Sequence, residues 1–229
     1  MSGVQTAGEL ASRLEAVRGR IAAAARDAGR ATSELTTIVV TKFHPASLVR
    51  ELAALGVRDV GENRHQEAQE KARACADLDL TWHFVGQLQS KKAKQARQYA
   101  RVIHSVDRPA LVSALESATA SVDCFVQYNL TTDPARGGVD SAGLERLVEQ
   151  ILGTSGLRLI GVMAVAPLGE EPRAAFARLR GISDRVRSLA PDAESISAGM
   201  SEDFEAAIAE GATHLRIGTA ITGKRPSRD

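Results

Sequence analysis

One pattern recurs along this chain and limits the folds open to it: a short apolar strand, a loop with Gly, Pro or Asn, and then an amphipathic helix. A first helix precedes the pattern and places Leu10, Leu14, Val17 and Ile21 at helical spacing. Strands that alternate with helices in this way run parallel to one another. The predicted strands are residues 35–40, 57–60, 81–85, 102–105, 122–127, 157–165, 193–196 and 212–217.

Neither a linker nor a shift in composition divides the 229 residues, so we predict a single domain over residues 1–229. Eight strand–helix units favour an α/β fold, a single (β/α)8 TIM barrel with an extra N-terminal helix. An open parallel sheet of six or seven strands is the alternative. The predicted later helices are residues 47–55, a polar helix ending near 74, then 90–100, 109–118, 143–152, 172–189 and one from Ser201 to Gly211.

Charge and cysteine content narrow the functional classes. Lys and Arg number 29 against 28 Asp and Glu, so the chain has no bulk attraction for nucleic acid or a membrane. Cys75 and Cys124 have no partners at metal-ligand spacing, which predicts reduced thiols and no metal site. The N-terminal stretch is too charged for a secretory signal. We therefore expect a cytoplasmic protein whose ligand is a small molecule.

Lys42 is the first candidate site residue. It ends an apolar, β-branched run and precedes a turn-like segment, Phe43-His44-Pro45. Parallel barrels place their chemistry at the carboxyl ends of their strands, and a single amine delivered there is suited to forming a Schiff base. The alternative is a lysine that only keeps the strand end in water. His83 and His104 lie within strand patterns and are interpreted as core or hydrogen-bonded histidines.

The ends of strands seven and eight predict a phosphate site. Gly218 lets a phosphate approach the main chain and Thr219 adds a hydroxyl donor, in the region where such barrels commonly bind phosphate. Ser201 is predicted to be a helix N-cap, and Glu202 and Asp203 are expected to point away from the phosphate. The alternative is that these segments only form a helix start and a turn and bind no ligand. An amine and a phosphate site together match the two ends of pyridoxal 5′-phosphate (PLP).

Six segments closely resemble the pyridoxal phosphate homeostasis protein family, in order and over nearly the whole chain. The longest of them, at residues 82–92, is the most specific. The resemblance implies a barrel similar to the N-terminal domain of bacterial alanine racemase. The segments are 40–42 (VTK), 60–63 (VGEN), 82–92 (WHFVGQLQSKK), 161–164 (GVMA), 197–203 (SAGMSED) and 216–221 (RIGTAI).

The resemblance also implies roles for individual residues. PLP is expected as a Schiff base on Lys42, with Arg216 as the partner of the pyridine nitrogen. Arginine does not deprotonate, so it donates to an unprotonated ring nitrogen and leaves the ring a poor electron sink. A poor electron sink favours a carrier over an enzyme whose reaction passes through a carbanion. The phosphate is assigned to Ser201, Gly218 and Thr219, and Asn63 and Met200 are expected to line the pocket.

The resulting expectation is a non-catalytic PLP carrier that buffers PLP or delivers it to PLP-dependent apoenzymes, with no catalytic residue assigned. The alternatives are a weak amino-acid racemase and an aldolase-type barrel that uses Lys42 without PLP. A racemase needs a second base, and Tyr99 and Tyr128 are the two tyrosines of the sequence. Because the chain ends at Asp229, we expect neither the added β domain of alanine racemases nor their dimer, and predict a monomer.

Overall fold

The computed structural model describes residues 7–224, which form a closed barrel of eight parallel strands. The strands follow one another around the ring, and the last pairs with the first, with Val39 beside Ile217. The predicted (β/α)8 barrel is therefore confirmed, and the open sheet is wrong. The strands are β1 (Thr36–Val40), β2 (Asp59–Glu62), β3 (Thr81–Phe84), β4 (Val102–Val106), β5 (Val122–Gln127), β6 (Leu157–Met163), β7 (Ser195–Ser197) and β8 (His214–Ile217).

Helices surround the strands, and one precedes them as predicted. Its buried stripe of Leu10, Leu14, Val17 and Ile21 belongs to the main hydrophobic core, and the helix packs on the last two helices of the chain. The helices are α1 (Ala7–Asp27), α2 (Ala46–Ala54), α3 (His65–Ala74), α4 (Ala93–Ala96), α5 (Pro109–Ala114), α6 (Leu144–Leu152), α7 (Pro172–Leu189), α8 (Phe204–Ala209) and α9 (Thr219–Thr222).

The helix predicted over residues 90–100 is much shorter in the structure. A 3₁₀ turn, Ser90–Lys92, leads into α4, which ends at Ala96. The sequence brings Lys91, Lys94 and Arg97 to successive positions three residues apart, where like charges destabilise a helix. The Arg97 guanidinium instead donates to the carbonyl oxygens of Leu115 and Gly156, at 2.8 and 3.0 Å.

The prediction that Ser201 is the N-cap of α8 is wrong. The helix begins at Phe204, and Asp203 occupies the N-cap position. The main-chain N–H of Met200 donates to Asp203 Oδ1 at 2.5 Å, which holds residues 200–203 in a turn before the helix starts. This turn frees the Ser201 hydroxyl for a contact with α9, a short helix that the sequence pattern did not predict.

The inside of the barrel is unusually polar. Val102, Phe125 and Met163 form a small apolar cluster there, separate from the main core between strands and helices. Buried polar side chains occupy much of the remaining interior; they are His83, His104, Ser197 and Arg216. Polar side chains inside the barrel are suited to binding a small polar ligand at its mouth. Over residues 7–224, every helix is too short or too polar to cross a bilayer.

Candidate functional site

Lys42 lies immediately after β1, at the carboxyl-terminal mouth of the barrel, and is exposed. The turn that follows it is strained, because Phe43 has a φ of +69°, a conformation that bulky residues rarely adopt. The structure holds this turn at both ends: the N–H of Phe43 donates to Glu67 Oε2 at 3.1 Å, and the N–H of Thr41 donates to the Gly61 carbonyl at 2.9 Å. Backbone strain of this kind clusters at functional sites.

A buried ion pair lies behind Lys42. Glu62 Oε1 accepts hydrogen bonds from Lys71 Nζ and from the Thr41 hydroxyl, both at 2.6 Å. Lys71 Nζ also donates to the Thr41 carbonyl at 2.8 Å. Burial raises the pKa of Glu62, although the Lys71 ammonium opposes that effect. The amine of Lys71 is thus committed to holding the end of β1, whereas Lys42 presents its amine at the mouth.

Arg216 is the buried cation of the site. Its Nη1 donates to Ser197 Oγ at 2.6 Å, and its Nη2 donates to the Ala164 carbonyl at 2.8 Å. These contacts join the ends of β6, β7 and β8. Burial lowers the pKa of Arg216 to about 10, so the guanidinium remains charged at neutral pH. It keeps N–H donors beyond the two used here, since a guanidinium has five.

The loops after β7 and β8 meet at the same mouth. Ser201 Oγ accepts a hydrogen bond from the N–H of Ala220 at 3.2 Å and from the Thr219 hydroxyl at 3.4 Å. Gly218 precedes α9 and packs beside Val40 of β1. Two hydroxyls and the first turn of a helix, next to the end of β1, provide donors of the kind that bind phosphate.

Asn63 and Met200 occupy the rim. Asn63 follows β2, and its Oδ1 atom is buried without a hydrogen-bond partner among the described residues. Such an orphaned acceptor indicates a missing polar partner. Met200 is 39 % exposed. Glu202 is exposed, as expected, whereas Asp203 turns back on its own loop through its contact with Met200.

The structure therefore brings the sequence-predicted residues to one mouth. Lys42 and the Gly218–Thr219 loop follow adjacent strands, β1 and β8, and Ser201 contacts Thr219 directly. Sequence reasoning did not assign a role to Ser197 or to the Ala164 carbonyl, although Ser197 ends β7 and Ala164 directly follows β6. A hydroxyl placed at the end of a short strand gives no local signal, because its partner Arg216 lies 19 positions away.

The two tyrosines of the sequence contact different elements. The hydroxyl of Tyr99 lies 3.2 Å from His65 Nδ1, in the outer layer between α3 and α4. Burial raises the pKa of Tyr99. Tyr128 follows β5, and its N–H donates to the Met163 carbonyl of β6 at 2.8 Å.

The fold and these side chains define a barrel of the alanine racemase N-terminal domain class, whose family profile matches residues 13–226. The chain belongs to the pyridoxal phosphate homeostasis protein family. Proteins of that name from Mycobacterium bovis and Mycobacterium tuberculosis are 40% identical to it over 96% of this chain and 94% of their own length. The Escherichia coli protein of that name is 35% identical over 95% of this chain and 97% of its own length.

Solved structures give the same picture. PipY of Synechococcus elongatus, solved with PLP bound, superposes with a TM-score of 0.82 at 36% identity and covers 93% of this chain and 100% of its own. Alanine racemase of Corynebacterium glutamicum superposes with a TM-score of 0.73 at 16% identity, over 93% of this chain and 62% of its own, which supports the fold alone.

Proposed function

We propose that this protein binds PLP through Lys42 and buffers it or delivers it to PLP-dependent apoenzymes. Arg216 is the observation that carries the proposal, because it is a buried guanidinium fixed by two hydrogen bonds with donors to spare. Such a group suits the unprotonated nitrogen of a pyridine ring. The PLP found in PipY, a relative at 36% identity, supports the same ligand.

The residues of the mouth fit the two ends of PLP. The Lys42 amine condenses with an aldehyde carbon with loss of water, and hydrolysis releases both partners unchanged. Ser201, Gly218 and Thr219 bind the phosphate at the ends of β7 and β8, and Arg216 binds the ring nitrogen. Asn63 Oδ1, buried without a partner in the described chain, accepts a hydrogen bond from a polar group of the ligand. Met200 covers the rim of the pocket.

We further propose that the protein is a carrier rather than an enzyme. An arginine at the ring nitrogen keeps that nitrogen unprotonated and limits carbanion stabilisation. The contact of the Tyr99 hydroxyl with His65 in the outer layer supports the absence of the second base that a racemase needs. The names of the relatives, which describe homeostasis, support the same reading.

The remaining parts of the proposal concern the whole chain. We infer that residues 1–229 form one PLP-binding domain and act as a monomer; the closed barrel supports this in one respect, because it excludes dimers that pair through an open sheet edge. Cys75 and Cys124, both buried and unpaired with each other, support a cytoplasmic location. Sedimentation velocity tests the monomer directly.

The functional test is a transfer assay. The protein loaded with PLP and freed of excess cofactor is mixed with a PLP-dependent apoenzyme, and the recovery of that enzyme's activity is followed. The Lys42→Ala variant, treated identically, is the control. We expect recovery with the parent chain only, and no exchange of the α-hydrogen of added alanine in deuterium oxide. Steady α-hydrogen exchange would favour the racemase instead.

A further inference from the structure

A continuous line of hydrogen bonds crosses the barrel interior from Arg216 to the opposite mouth. Arg216 Nη1 lies 2.6 Å from Ser197 Oγ, and Ser197 Oγ lies 2.8 Å from His104 Nδ1. His104 Nε2 lies 2.9 Å from His83 Nδ1, and His83 Nε2 lies 2.9 Å from Asp59 Oδ1. The line thus joins strands β8, β7, β4, β3 and β2, and we refer to these five residues as the interior relay.

The two ends of the interior relay fix the direction of every bond in it. Arg216 can only donate and the Asp59 carboxylate can only accept, while a hydroxyl and a neutral imidazole each do both. Ser197 therefore donates to His104, His104 donates from Nε2 to His83, and His83 donates from Nε2 to Asp59. With both imidazoles neutral, each histidine is then protonated on Nε2 and accepts at Nδ1. All four hydrogen bonds of the line are satisfied in this arrangement.

The burial of the interior relay makes that direction costly to change. His104 and Ser197 are fully buried, and His83 is 2 % exposed. A reversed tautomer at either histidine would place two donors or two acceptors face to face away from water. The stacked ring of Phe125, whose centroid lies 4.5 Å from that of His104, further restricts rotation of the imidazole.

We propose that Ser197, His104, His83 and Asp59 are positioning residues that hold Arg216 in its donor orientation toward the cofactor ring. The assignment rests on the proposed function for the ligand, but the relay itself is a property of the unloaded chain. Asp59 lies at the start of β2, with a side chain 30% exposed at the amino-terminal mouth. The only carboxylate of the relay thus acts on the site from the far end of the barrel.

The test uses four variants. Ser197→Ala breaks the relay beside Arg216, and Asp59→Ala breaks it at the far mouth, where a half-exposed side chain can be removed with little risk to folding. Asp59→Asn is the conservative rescue, because its amide oxygen still accepts from His83. Asp123→Ala is the matched control: Asp123 lies on β5, its side chain is 25% exposed, and it pairs with Arg158 outside the relay.

Two measurements are made on each variant. Nitrogen-15 NMR of labelled histidine in the PLP-free chain identifies the tautomers of His83 and His104. The rate at which the loaded chain releases PLP measures how tightly the cofactor is bound. We expect Nε2–H tautomers for both histidines in the parent chain. Ser197→Ala and Asp59→Ala should disturb that pattern and speed PLP release about three- to tenfold, the equivalent of one lost hydrogen bond. Asp59→Asn should restore the parent behaviour.

Two results would overturn the inference. One is an Nδ1–H tautomer or an imidazolium at either histidine of the parent chain at pH 7. The other is a release rate and a tautomer pattern in both Ser197→Ala and Asp59→Ala that equal those of Asp123→Ala. Failure of the parent chain to bind PLP at all would count against the proposed function instead, and the tautomers of the PLP-free chain would still decide whether the relay exists.

Discussion

At the scale of single residues, the site depends on two cations in different surroundings. Lys42 is exposed at the end of β1, where it can react, whereas Arg216 is buried and held by Ser197 and Ala164. Both were proposed from the sequence, Lys42 from its place after a buried strand and Arg216 from family resemblance. Their surroundings were not predicted, because Ser197 and Ala164 contact Arg216, and Lys71 contacts Thr41 beside Lys42, through the fold and without a characteristic spacing in the sequence.

Replacement of Arg216 tests the role of the buried guanidinium. We predict that Arg216→Ala weakens PLP binding about ten- to a hundredfold, because a hydrogen bond to a charged group is worth about 1.5–3 kcal/mol. Titration of PLP followed by absorbance measures the loss and any shift of the band. Arg158→Ala, which removes an exposed arginine paired with Asp123, is the control. Equal affinity in the two variants would show that Arg216 does not contact the ring.

At the scale of elements, the site depends on how closely β6 and β7 pack. Gly161 of β6 pairs with Ser195 of β7, and a Cβ atom on Gly161 would overlap the Ser195 carbonyl oxygen. The ends of these same strands carry Ala164 and Ser197, the two partners of Arg216. Sequence periodicity located all eight strands, but it misplaced the start of α8 and missed α9. Those differences arise from a turn and an interloop contact, which no helical period encodes.

Gly161→Ala should therefore damage the barrel. We predict a loss of about 3 kcal/mol or more in the free energy of unfolding, because the added methyl group forces the backbones of β6 and β7 apart. Urea unfolding followed by circular dichroism measures it. Gly181→Ala is the matched control, since Gly181 is exposed within α7 and has open space around its Cα. That variant should be about 0.5–1 kcal/mol more stable than the parent. Similar losses in both would refute the close packing of β6 on β7.

At the scale of the whole molecule, the polar interior makes stability depend on pH. Burial lowers the pKa of His214 to about 4 and lowers the pKa of His104 well below its usual range, and the positive charge of Arg216 adds to the effect in both. Below about pH 6.5 these two histidines therefore bind protons in the unfolded chain but not in the folded chain. The free energy of unfolding contributed by these groups falls as the pH drops from about 6.5 toward 4.

His214→Gln isolates one of these contributions. The slope due to a single histidine is at most about 1.4 kcal/mol per pH unit, so the variant should lose less stability than the parent chain between pH 6.5 and 4.5. Glu62, whose raised pKa acts in the opposite direction, is present in both chains and cancels in the comparison. Urea unfolding at several pH values measures the difference. Parallel curves for the two chains would contradict the low pKa of His214.

Lys42 is the proposed anchor for PLP, and reduction by borohydride shows whether the cofactor is bound there. The purified chain is incubated with PLP, reduced so that any Schiff base becomes a stable amine, and digested for peptide mapping by mass spectrometry. We predict a phosphopyridoxyl group on Lys42, with Lys71, which is buried in its pair with Glu62, unmodified. A chain that carries the group only on exposed lysines such as Lys91 or Lys94, or carries none, would contradict the claim.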